Sequence, residues 1–124
     1  MFKFISTLFL LSYSSLSFSQ NNLDIVQILG QFYQASYATS KCTVLSQELQ
    51  QSFSKNFEIV SFRARESIKS KNKGISDSEI SSQLNKGKTA VESQIESVIQ
   101  SKGCSDPRIQ DLLKRYVVQA TLKF

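Results

Sequence analysis

Histidine and tryptophan are absent from this 124-residue chain, proline occurs once and glycine four times. Without histidine, the commonest general base and metal-ligating imidazole is missing. The two cysteines, Cys42 and Cys104, are too far apart in sequence for a redox C-x-x-C, and no further ligands accompany them for a zinc site. No glycine loop has phosphate-cradling spacing, and no acidic loop has calcium-binding spacing. A cysteine nucleophile would need a free thiol with an activating neighbour. Glu92 and Glu96 stand four apart, as paired carboxylates can. A solvated helix face has the same spacing, and Lys88 precedes Glu92 by four. These features argue against an enzyme, and neither a cofactor nor a metal ion is expected.

Also lacking is an apolar run long enough to cross a bilayer, which needs roughly 20 residues. What stands at the N-terminus is shorter. Lys3 is followed by about 13 apolar residues with interspersed serines (residues 4–16), and Ser17 and Ser19 supply small residues at the cleavage positions. This pattern predicts a secretory signal peptide over residues 1–19 and a single domain over residues 20–124. Removing the leader takes away one charged residue, Lys3, so the formal charge falls from +5 to +4. That is basic without the concentrated excess of a nucleic-acid binder, and no nucleic-acid partner is expected. The expected localisation is periplasmic or secreted. In such a compartment Cys42 and Cys104 are most simply a disulfide. Closing a loop of that length would stabilise a small fold by about 4 kcal/mol.

Alternating β-patterns are missing too, and apolar residues recur every three or four positions, as in helices. Ile25, Leu29, Phe32, Tyr33 and Tyr37 mark a first helix, with its cap near Asn21 or Asn22. Leu45, Leu49, Phe53, Phe57, Val60, Ala64 and Ile68 continue a second stripe. A break is expected near residues 39–44, where Thr39, Ser40, Lys41, Cys42 and Thr43 are poor helix formers. Ser54, Lys55 and Asn56 are a second candidate break. The clearest boundary is Gly74 followed by the S-x-x-E capping box of Ser76 and Glu79, with Ile75 and Ile80 as a hydrophobic staple. Gly87 interrupts the third stripe and suggests close packing or a bend. Gly103 ends that helix, and Ser105 or Asp106 caps the next, with Pro107 in its first turn. Asp106 and Asp111 suit the positive end of a helix dipole. The fold expected is all-α: a small up-down four-helix bundle with one disulfide joining two inter-helix turns at the same end.

The remaining signals concern binding. Arg63, Arg65, Lys69, Lys71 and Lys73 approach the Gly74 turn, and Lys86 and Lys88 follow it. At about 100° per residue, Phe53, Phe57, Val60 and Ala64 share one side of the second helix. Ile59 and Phe62 fall on the opposite side, in a row with Lys55, Lys69 and Lys73. A helix apolar on two faces either packs centrally between neighbours or presents one face to a partner. Ile59, Phe62, Arg65, Lys69 and Lys73 are therefore the candidate partner-binding residues. Tyr33, Tyr37 and Tyr116 fit core-edge positions, and a ligand pocket lined by them is a weaker alternative. The expected function is a non-catalytic binding protein of the cell envelope, of an inhibitor or immunity type, with an unidentified protein partner or a second copy of the chain. The alternative is direct binding of anionic lipid or cell-wall polymer through the basic hairpin end.

Overall fold

The computed structural model describes residues 24–124; the expected leader over residues 1–19 lies outside the described residues. Four helices follow one another: α1 Ile25–Cys42, α2 Gln47–Lys71, α3 Asp77–Lys102 and α4 Pro107–Thr121. There is no strand among the described residues.

Local chemistry sets most of the boundaries. At α1 the cap is Asp24, not Asn21 or Asn22. Its carboxylate accepts from the Gln27 amide at 2.9 Å, while the Gln27 side chain accepts from the Asp24 amide at 3.3 Å. This reciprocal pair satisfies two amide donors at once, which a single asparagine cap cannot do. Ser46 caps α2 through the Leu49 amide. Ser76 and Glu79 form the expected capping box on α3. Asp106 caps α4 just ahead of Pro107; Asp111 lies beyond the first turn. Gly74 and Gly103 hold φ of 89° and 83°, the left-handed region that a side chain would strain.

The break between α1 and α2 is real, but it lies later than expected, over residues 43–46. Thr39 is buried on the same face as Phe32, Ala35 and Ala38, and that burial keeps a weak helix-forming stretch helical to Cys42. The second candidate break, at Ser54, Lys55 and Asn56, does not occur, and α2 runs through it. Gly87 neither packs closely nor breaks α3: it is exposed, with open space where a Cβ would stand.

The helices alternate in direction, and α1 is the centre of the assembly, packed against α2, α3 and α4. Ala35 and Ala38, both fully buried, let its neighbours approach closely. In one cluster of the core, Phe32 meets Phe53 with centroids 5.3 Å apart, and Phe53 stacks on Tyr116 at 3.9 Å. Ala38, Ile95, Ile109 and Leu112 form a second cluster, with Cys42 packed against it. The Cys42–Cys104 disulfide joins the chain there, with Cα atoms 5.6 Å apart. It ties the last residue of α1 to the α3–α4 turn, as the up-down topology requires.

Candidate functional site

The inward face of α2 carries Phe53, Asn56, Val60 and Ala64, all buried. A residue 180° from that face has no helix to meet, and Phe62 occupies that position with 65% of its surface exposed. A lone exposed apolar residue is ordinary, but a continuous apolar patch is not. Phe62 has company. Ile59, one turn away, is half-buried, and the chain after α4 returns along its flank. Leu122 and Phe124 of that tail are both exposed.

Asn56 fixes the tail. Its side-chain Nδ2 donates to the carbonyls of Gln119 at 2.8 Å, Ala120 at 3.4 Å and Leu122 at 3.0 Å. A residue of α2 thereby satisfies the carbonyls that the end of α4 leaves free. Further along α2, the Arg63 guanidinium sits 5.3 Å from the centre of the Phe124 ring. Between the helix and the tail lies an open cleft of about 470 Å³, lined by Ser52, Lys55, Ile59, Leu122 and Phe124 among others. Lys55 and Lys123 at its edge have no acidic partner among the described residues.

The sequence candidates therefore divide. Ile59 and Phe62 lie together on the outer face with Lys55. Arg65 turns toward α3 and donates to the Ser81 hydroxyl. Lys69 lies 3.0 Å from Asp77 and 3.8 Å from Glu66. The Asp77 carboxylate beside it raises its pKa above the usual lysine value. Lys73 stands exposed in the turn, without an ion pair among the described residues. Of the wider basic run, Lys88 pairs with Glu92 at 2.7 Å, and Lys86 and Lys88 lie well along α3 from the turn. Asn56, Leu122, Lys123 and Phe124 were missed by sequence reasoning. A Leu-Lys-Phe tail beyond the last helical residue was a visible signal; its docking on Asn56 was not.

The paired carboxylates on α3 act separately. Glu92 takes Lys88, whereas Glu96 accepts from the Gln100 amide at 2.7 Å and the Tyr37 hydroxyl at 2.6 Å. Those donors hold the Glu96 carboxyl below its ordinary pKa, and the same bond pushes Tyr37 up to about 12. Tyr116 and Tyr37 line different clefts, so the tyrosines do not share one pocket. The Tyr116 cleft, about 580 Å³ beside residues 43–46, is lined by uncharged residues throughout. No group of three acidic, cysteine or histidine side chains among the described residues is placed to hold a metal ion. No described helix is long and apolar enough to cross a membrane.

Fold and site together define a small disulfide-pinned helical bundle with one apolar-cationic face. Comparison with protein-family models, curated proteins and solved structures finds no match.

Proposed function

We propose that this protein is an exported, non-catalytic binding protein of the cell envelope, and that it engages a protein partner through the outer face of α2. The exposure of Phe62 carries this reading. One turn away, Ile59 shares a cleft with Leu122 and Phe124 of the tail and with Lys55 and Lys123, and Arg63 sits over the Phe124 ring. An aromatic anchor with cationic neighbours is the composition of an interface centre. Export is supported by the N-terminal pattern and by a cysteine pair that an oxidising compartment would keep joined.

Exchange of Phe62 for serine tests it. Wild-type protein immobilised on a matrix should retain a saturable envelope-protein partner or a second copy of itself, and F62S should lose that retention while its helicity and melting temperature stay unchanged. Retention equal in the two proteins, or absent from both, would remove the reading. Cell fractionation checks the address: the mature mass should correspond to a chain starting at Gln20.

The lipid or polymer alternative draws on Lys71, Lys73 and Lys86, which have no acidic partner among the described residues. It is weakened because Lys69 and Lys88 already have theirs. Binding to anionic vesicles that collapses with added salt, and is indifferent to F62S, would favour it.

A further inference from the structure

The outer face of α2 has a second property beyond its apolar centre. Ser52, Lys55, Ile59, Phe62, Glu66 and Lys69 lie in one row, stepping alternately by three and four residues. That spacing makes a straight seam along a helix. All six are exposed except Ile59, which is half-buried. The row is self-complementary when reversed. Laid antiparallel on itself about a two-fold axis between Val60 and Ser61, it sets Lys55 against Glu66, Ile59 against Phe62 and Ser52 against Lys69. Each contact occurs twice. Just outside the row, Glu48 falls toward the turn that carries Lys73.

The geometry points to a second copy of this chain as the partner on that face, in an isologous dimer formed by antiparallel α2 helices. This rests on the reading of the α2 outer face as the binding face, and it names the occupant. Charge selects the arrangement. A parallel pair sets every lysine and glutamate against its own counterpart. An antiparallel pair centred on Phe62 sets Lys55 against Lys69 and Glu58 against Glu66. Only the register centred between Val60 and Ser61 opposes unlike charges and closes the two apolar residues on each other. The intramolecular contacts leave this open. Lys69 is held mainly by Asp77, Glu66 is 3.8 Å from Lys69 with half of its side chain exposed, and Lys55 has no ion pair among the described residues. The tail residues Leu122 and Phe124 border the seam and extend its apolar centre. One helix per copy makes a small interface, so the dimer should dissociate on dilution.

Sedimentation equilibrium of the mature chain over a concentration series tests this. The wild type should form a concentration-dependent dimer. Lys55→Glu and Glu66→Lys, each alone, oppose like charges twice and should weaken dimerisation at least about ten-fold. An equimolar mixture of the two variants opposes unlike charges at both contacts and should recover a heterodimer. The double variant should recover the homodimer. Both side chains are exposed, so unchanged melting curves serve as the folding control. A wild type that stays monomeric throughout would overturn the dimer, as would a dimer indifferent to the charge exchanges. If the wild type is monomeric and F62S still loses a different envelope protein, self-pairing fails and the face survives. If F62S loses nothing, both fail.

Discussion

Asn56 directs its amide hydrogens at the carbonyls that close α4, and the rest of its side chain is buried. Replacing it with alanine takes this donor from the carbonyls of Gln119 and Ala120, whose bonds to it are buried. A loss of about 1–3 kcal/mol is expected in urea unfolding, the range for stranding buried polar groups. A loss below about 0.5 kcal/mol would mean that the tail finds another donor. Tyr37 makes another long-range polar contact, to Glu96. Its hydroxyl pKa is raised to about 12 by the bond to Glu96, above the ordinary 10.0. Between those values the unfolded chain has released the proton and the folded chain keeps it. The contribution is therefore intact below pH 10 and fades as pH rises toward 12. Tyr37→Phe should flatten the alkaline decline in melting temperature and remove the late-titrating phenolate from the absorbance profile. On the acid side, Glu96 is held below its usual pKa by Gln100 and Tyr37, so its contribution disappears as pH falls through that lowered value.

Among the elements, α3 owes the least to tertiary burial. It is 26 residues long, yet its buried residues are Ile80 and Ile95, near its two ends, with Leu84, Val91, Val98 and Ile99 half-covered. Its chief support is α1, and it touches α4 lightly. Intrinsic propensity counts most in such a helix, and Gly87 sits exposed in its middle. Gly87→Ala has room for the methyl group and should stabilise the protein by about 0.5–1 kcal/mol, read as a higher urea midpoint at unchanged slope. A decrease would show that α3 bends there in solution. The ends of this element were legible because their signals are local: Ser76 and Glu79 interact across three residues, and Gly74 and Gly103 answer a backbone demand at their own positions. The boundary between α1 and α2 was only partly legible. Thr39 is a poor helix former by propensity, and what keeps it helical is burial against helices far away in sequence. Asn56 misled for the same reason. As a lone asparagine beside a serine and a lysine it resembles a break, and its role appears only once α4 lies against α2.

At the scale of the molecule, two clusters of core residues and one covalent link hold four helices together. The disulfide closes a sequence separation of 62 residues and joins the end of α1 to the α3–α4 turn. By the chain-entropy relation it contributes about 4 kcal/mol, a large share of what so small a domain possesses. Reduction at neutral pH should lower the melting temperature markedly, and the Cys42→Ser, Cys104→Ser double variant should match the reduced protein. An unchanged melt would place the stability in the clusters alone. The α3–α4 end should be the first to loosen in hydrogen exchange once the bond is open, because α4 gives α3 little other support there.

The sequence by itself determined the helical class, the two strongest turns, the pairing of Cys42 with Cys104 and the two-faced character of α2. These follow from periodicity, capping chemistry and cysteine count, each expressed within a few residues or in composition. Only the tertiary structure decided that α1 is the central helix, that Asn56 closes α4, that Tyr37 reaches Glu96 and that Phe62 stays uncovered while half-buried Ile59 shares a cleft with the tail. Those outcomes depend on which helix lies beside which. A periodic pattern says that a face is apolar; it does not say whether a neighbour will arrive to bury it.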